Sequence, residues 1–347
     1  MAVRQFLKDE ASLVLAVQNL LDEDNPFFLK LSKFCDTSYT VAILFPVFAS
    51  LDTKLGYQIL LVSSVTEWLN TLMKWGIAEP RPYWWIKEAK VNIPLRQTDI
   101  TCETGPGSPS GHVMGTAALL YVLLQWLIDW FNSTIPTEYV KLRKVFNTFL
   151  WLIYGAIVGL VSLSRMNVAA HFPHQCFLGA ILGYLVSALL IRDTRWTFWS
   201  RIRHCSKTKM LFLAFLSCGI SVGGYFSHRL LGYDPGWSIK MAFKWCQRPT
   251  SVSVYTTPIY SLVRDGGSLV GLAIASPLKE RKFYPIIGAT VTTLFFVGTR
   301  MLRPMMPTND ALQFYTFHFL DNLFVSVCML TVVPYIASLV RIKIKIQ

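Results

Sequence analysis

The chain has 347 residues, of which 53% are hydrophobic and only 15% charged, with 11 Trp, 14 Tyr and 23 Phe. This composition excludes a disordered or collagen-like chain and leaves too little polar surface for an ordinary water-soluble enzyme, so a polytopic membrane protein is expected. The excess of 33 Lys and Arg over 20 Asp and Glu, a net +13, suits either nucleic-acid binding or basic cytoplasmic loops, and its distribution along the chain decides between them.

Residues 1–31 alternate charged and apolar side chains (Phe6, Leu7, Ala11, Leu13, Val14, Val17, Leu20, Leu21) without the compact apolar run of a cleaved leader, which predicts a lumenal amphipathic segment lying at the interface. Residues 32–347 read as one transmembrane domain of an all-α protein with about nine spans, since crossing the bilayer takes about 20 mostly apolar residues. The first is expected over Ser32–Leu51 and carries Lys33 and Asp36. The next four are Gly56–Lys74, His112–Phe131, Val145–Ser164 and His174–Ile191. The last four are Met210–Phe226, Ile259–Pro277, Phe283–Thr299 and Phe314–Val340.

With these spans, the connections Asp52–Leu55, Asn132–Lys144, Arg192–Lys209 and Leu278–Lys282 and the tail from Arg341 are short and hold sixteen Lys and Arg. Short basic loops stay cytoplasmic, which sets the C-terminus inside and the N-terminus in the lumen. The same partition breaks the positive charge into five pieces, and a nucleic-acid partner needs one continuous basic face. The seven cysteines form no metal-ligand spacing. Cys102 and Cys246 alone fall in long lumenal loops, where an oxidising compartment permits a bridge. The sequon at Asn132 lies on the cytoplasmic side and is expected to stay unmodified.

Three groups of ionisable residues fall at the lumenal ends of spans. Lys74 ends the second span and Arg81 follows between Pro80 and Pro82; residues 102–112 lead into the third span; Arg165 ends the fourth, and His171 and His174 open the fifth. Three fixed cations, imidazoles and a Gly/Ser-rich loop running into a helix start make a phosphate site, because guanidinium and ammonium groups pair with phosphate oxygens and helix N-terminal amides point at an anion. No acidic or histidine spacing suits a divalent metal, so neither metal nor cofactor is expected and the cations carry the charge neutralisation. Imidazole, which titrates near neutrality, suits both nucleophile and general acid.

Lys74-x6-Arg81-Pro82, Pro109-Ser110-Gly111-His112 and Ser164-Arg165-x5-His171 together resemble the three-part signature of the type 2 phosphatidic acid phosphatase superfamily. The surrounding Glu67-Trp-Leu-Asn, Arg81-Pro-Tyr-Trp-Trp85, Cys102-Glu-Thr-Gly-Pro-Gly-Ser-Pro-Ser-Gly-His112, Ala170-His-Phe-Pro-His-Gln175 and Lys244-Trp-Cys-Gln-Arg-Pro249 resemble the glucose-6-phosphatase family within it. The resemblance implies hydrolysis of glucose 6-phosphate at a lumenal site: His171 as nucleophile forming a phosphohistidine, His112 as acid and then base, and Lys74, Arg81, Ser110, Gly111 and Arg165 holding phosphate. It also implies a phosphorylated sugar as substrate, membrane lipid as surroundings and a separate glucose 6-phosphate transporter as a candidate partner. A lipid phosphate phosphatase and a non-catalytic transporter or scaffold with a degenerate site are the alternatives.

Gln175 stands where many superfamily members have Asp, and at i+4 from His171 its amide oxygen is a candidate to orient that ring. His174 reads as a supporting residue. Arg264, Asp265 and Asp321, within the expected spans, are expected to pair with one another or to sit at helix ends, while Trp84, Trp85, Trp245 and Lys244 line a sugar pocket or form an interfacial belt. Lys345 and Lys343, third and fifth from the end, resemble a retrieval signal to the endoplasmic reticulum.

Overall fold

A computed structural model describes residues 2–21, 26–35, 48, 53–192, 202, 205–252, 254–277, 284–302 and 310–339. The regular elements among them are helical: α1 (Ala2–Leu20), α2 (Pro26–Phe34), α3 (Thr53–Ile77), α4 (Pro82–Glu88), α5 (Gly111–Thr134), α6 (Val140–Asn167), α7 (Pro173–Ile191), α8 (Lys207–Leu230), α9 (Trp237–Trp245), α10 (Pro258–Ala275), α11 (Pro285–Leu302), α12 (Ala311–Val327) and α13 (Val333–Leu339), the last two joined by a π-helical turn, Cys328–Val332. Proline opens α4 and α7, where its missing N–H costs nothing and its fixed φ is already helical. Helix α5 stops at Ile135, held extended (ψ 131°) before Pro136. Asp310 caps α12 by accepting from the Gln313 N–H at 2.9 Å.

The helices α5, α6, α7 and α8 and the run Ala311–Leu339 are long and apolar enough to cross a membrane. On α6, Val145 and Leu152 are 66% and 68% exposed, an outward greasy face that water would reject and lipid accepts. Helices α3, α10 and α11 coincide with three further expected spans. The segment α3 is less apolar overall because Gln58, Ser63, Ser64, Thr66, Asn70 and Thr71 are buried along it, facing protein. Almost all of the expected first span, most of the loop after α7, residues 278–282 and the C-terminal lysines lie outside the described residues.

The chain forms two compact units. One comprises Met1–Tyr39, Thr66–Ala188 and Ser221–Ser261; the other comprises Thr40–Val65, Leu189–Ile220 and Leu262–Gln347. In the first, Leu7, Ala11 and Val14, spaced to share one face of α1, enter a core with Tyr83, Trp84, Ile86, Ile93 and Leu95. Leu7, Ala11 and Val14 are thus used on the protein's own interior, while Phe6, Leu13 and Leu20 of the same segment stay exposed. Helices α5 and α7 approach so closely that a Cβ on Gly183 would lie 2.2 Å from the Met114 carbonyl oxygen, the small-residue contact that lets membrane helices pack backbone to backbone. In the second unit Tyr57 and Ser276 share a hydrogen bond of 3.1 Å, and Arg264 pairs with Asp265 at 2.8 Å, one of the two placements expected of them.

Candidate active site

Every candidate residue lies in the first unit, and the local folding of each motif explains its spacing. Lys74 sits in the last turn of α3; the chain then reverses through Ala78, at φ +51°, and Arg81 follows as the extended N-cap of α4. Arg165 is in the last turn of α6. That helix ends with the Ala169 N–H on the Met166 carbonyl and the Ala170 N–H on the Arg165 carbonyl, Ala169 taking φ +51°. This is the paired closure of a helix C-terminus, normally given to glycine, and it consumes the five residues between Arg165 and His171. His171 emerges two residues before Pro173 opens α7. Ser110 is the extended N-cap of α5, so Gly111 and His112 form its first turn, where amides point outward.

Arg81 is buried and almost wholly engaged. Its Nε donates to the Gly105 carbonyl at 2.6 Å, Nη2 to Pro106 at 3.2 Å and Nη1 to Ala170 at 3.1 Å, with Nη1 also 3.4 Å from His171 Nε2. The Glu103 carboxylate lies between the two guanidiniums: Oε2 is 2.8 Å from Arg81 Nη1, and Oε1 accepts from Arg165 Nη2. His112 Nδ1 is 3.8 Å from Oε1 and His171 Nε2 is 3.9 Å from Oε2. Burial alone would raise the Glu103 pKa, but Arg165 and Arg81 hold it well below the usual carboxylate range. Lys74 completes the group: a Cβ added to Gly105 or Gly111 would come within 3.7 or 3.8 Å of its ammonium. Asn70, one turn earlier on α3, donates to the Pro109 carbonyl at 3.2 Å and so ties the glycine-rich loop to that helix.

His171 Nδ1 is 2.8 Å from the Gly107 carbonyl oxygen, which can only accept; the proton therefore resides on Nδ1. Nε2 is left with its lone pair toward Arg81, which can only donate. Burial, then Arg81 and Arg165, push the His171 pKa well below its ordinary value, so the ring stays neutral and nucleophilic. The orienting group is thus Gly107. The Gln175 oxygen instead accepts from the Phe172 N–H at 3.1 Å, while its amide donates to Pro80 O at 2.9 Å and Glu79 Oε2 at 3.2 Å. Its place so close to Gly107 demands glycine there: a Cβ would lie 2.4 Å from Pro80 O and 2.7 Å from both ends of the Gln175 amide. His174 links Glu10 of α1 to Glu79, the latter at 2.8 Å, and the Glu79 carbonyl receives the Gly107 N–H at 2.8 Å.

The structure therefore brings Lys74, Arg81, His112, Arg165 and His171 together, with Gly111 beside them. Ser110 is buried at the same helix start, with its N–H given to the Gln175 carbonyl at 3.0 Å and Cys176 beside its hydroxyl. Trp84 and Trp85 do neither job expected of them: they are core residues, edge-on to Trp237 at 5.5 Å and Phe172 at 5.9 Å. Lys244 and Trp245 converge on Glu88 at 2.7 and 2.6 Å. Cys102 and Cys246 are bridged, so the segment that carries Glu103 is covalently held to the end of α9. Glu103, Gly107, Glu79 and Glu10 are the participants that motif spacing does not single out. Among the described residues no cluster of His, Cys, Asp and Glu is arranged to hold a metal.

Residues 54–199 match the PAP2 superfamily. Over 329 residues, 90% of this chain and 89% of the relative, the chain is 33% identical to the glucose-6-phosphatase catalytic subunit 1 of Felis catus. It is 35% identical to the protein of the same name from Rattus norvegicus over 73% of this chain and 70% of the relative. Glucose-6-phosphatase 2 of Mus musculus is 31% identical over 93% of this chain and 94% of its own. No solved structure matches the chain.

Proposed function

The chain belongs to the glucose-6-phosphatase family within the PAP2 superfamily, and on that premise we propose that it is a phosphoric monoester hydrolase converting glucose 6-phosphate to glucose and phosphate. His171 Nε2 attacks phosphorus in line with the sugar oxygen; as the N–P bond forms and the P–O bond breaks, His112 delivers its proton to the departing oxygen. His112 then takes a proton from water, whose oxygen attacks the phosphohistidine and releases phosphate and neutral His171. Lys74, Arg81, Arg165 and the start of α5 at Ser110 and Gly111 hold the equatorial oxygens. Unassisted phosphate monoesters need accelerations of up to about 10²¹, so fixed positive charge in a partly closed site must supply most of the effect.

The observation that carries this reading is the His171 ring, pinned through Nδ1 at 2.8 Å and presenting Nε2 toward the anion position that the Glu103 carboxylate holds between two guanidiniums and His112. Membranes carrying His171→Ala should release no phosphate from glucose 6-phosphate and trap no labelled phosphohistidine; retained release would refute the nucleophile.

The protein is read as a multi-pass protein of the endoplasmic reticulum membrane with nine spans, its N-terminus and site in the lumen and its C-terminus cytoplasmic. The short basic loops support that orientation, as does the Cys102–Cys246 bridge, which belongs to an oxidising compartment. A lumenal site makes a separate glucose 6-phosphate transporter a candidate partner. Phosphate release from intact and permeabilised microsomes tests the sidedness, and phosphatidic acid as competing substrate tests the choice of sugar over lipid.

A further inference from the structure

The Glu103 carboxylate lies where the substrate's phosphate must go. Its oxygens engage Arg81 Nη1 at 2.8 Å and Arg165 Nη2, and lie 3.9 Å from His171 Nε2 and 3.8 Å from His112 Nδ1. In-line attack needs phosphorus about 3–3.5 Å from the nucleophilic nitrogen, a volume the carboxylate fills. We propose that Glu103 is a tethered stand-in for phosphate, which the substrate displaces from both arginines on entry and which returns to help expel inorganic phosphate after hydrolysis. The proposal rests on the phosphohydrolase reading above.

The identity of the mobile partner follows from exposure and bonding. Both guanidiniums are 1% exposed, and Arg81 is fixed by three backbone carbonyls from two loops, whereas Glu103 is 14% exposed and therefore has a way out. A carboxylate and a phosphate present the same pair of oxygens to a guanidinium fork, so one replaces the other without the arginines moving. While the site is empty, the carboxylate also spares the buried cations from facing one another uncompensated. The exchange makes affinity a difference between two anions: the tethered one weakens the binding of substrate and product alike, which favours release of the phosphate that remains after the sugar has left.

The test uses the full chain in detergent, with orthovanadate and inorganic phosphate as probes, and Glu103→Gln and Glu103→Asp as variants. The amide that replaces the carboxylate in Glu103→Gln carries no charge and turns an N–H₂ toward one guanidinium, so it should vacate easily: vanadate and phosphate inhibition should both tighten at least about tenfold, about 1.4 kcal/mol. Aspartate keeps the charge but is one methylene short of spanning both arginines, and should tighten inhibition by an intermediate factor. Unchanged inhibition in a Glu103→Gln protein with a normal thermal transition would overturn the proposal, and weaker inhibition would make Glu103 an organiser of the arginines instead. If the glutamine variant does not fold, unchanged or weaker inhibition of Glu103→Asp is the overturning result. Wild-type chain that binds vanadate but releases no phosphate from glucose 6-phosphate would refute the parent reading, while the comparison of vanadate affinities still decides this one.

Discussion

Replacing Gly107 by alanine tests whether one backbone carbonyl sets the nucleophile. The new Cβ would lie 2.4 Å from Pro80 O and 2.7 Å from the Gln175 amide, itself held by Pro80 and Phe172. Reaching even a tight separation of 3.0–3.4 Å requires a displacement of about 0.6–1.0 Å, and Pro80 is anchored through the next residue, Arg81, to the Ala170 carbonyl at 3.1 Å and Glu103 at 2.8 Å, both outside the 105–108 loop. The shift therefore falls largely on the 105–108 loop, which carries the carbonyl that holds His171 Nδ1. A misplacement of about 1 Å typically costs about a hundredfold in rate, or about 2.7 kcal/mol of barrier. The expected result is kcat for phosphate release down by about two orders of magnitude, phosphohistidine formation slowed in rapid quench by the same factor, and KM changed much less, because Lys74 and Arg165 sit on other elements. Gly155→Ala, where an added Cβ meets nothing within 4 Å, is the control for handling the membrane protein. A folded Gly107→Ala protein with kcat within about threefold of wild type would refute the argument.

Two further outcomes concern stability. His171 stays neutral in the fold, whereas in the unfolded chain it takes up a proton below about pH 6.5; Glu103 stays charged in the fold, whereas unfolded it protonates near pH 4.5. In both windows the unfolded state binds more protons, so stability falls on acidification, first from His171 and then from Glu103. Melting temperature should therefore decline from pH 7 to pH 4, with the upper part flattened in His171→Asn; a rise on acidification would contradict it. Removing the bridge with Cys102→Ser should slow migration on a non-reducing gel and cost about 2–4 kcal/mol of stability, and an unchanged mobility would show that the two thiols are not joined.

The cations and imidazoles of the site are legible in the sequence because each sits at a helix terminus, and span parity brings such termini to one side of a membrane. What spacing does not reveal is the acceptor each donor finds. Glu103 lies in full view of the motif-bearing segment, yet nothing in its neighbours says that it pairs with arginines 22 residues before it and 62 after. Helical spacing places Gln175 on His171, but His171 precedes α7, so the i, i+4 rule does not apply and the carbonyl of a distant glycine takes the task. Hydropathy identifies α5 to α8 readily because each is apolar along its length, whether turned outward as on α6 or mostly buried as on α5. It is weaker for α3, whose hydroxyls and amides are buried inside protein. The aromatic pair Trp84 and Trp85 misleads in the opposite sense, since bulk at a loop start looks like a binding surface until α1 and α9 cover it.

The three carbonyls that accept from Arg81 belong to Gly105, Pro106 and Ala170, one loop ahead of α5 and the other ahead of α7. A single side chain thus fastens two connections that lie more than sixty residues apart along the chain, and the fastening uses Nε and both Nη atoms of the fork. Lysine, with one nitrogen, has no geometry for that duty, so Arg81→Lys would preserve the charge and lose the clasp. Held by the Gly107–His171 and Ser110–Gln175 bonds without the clasp, the two loops should then exchange their amide hydrogens faster than in the native protein.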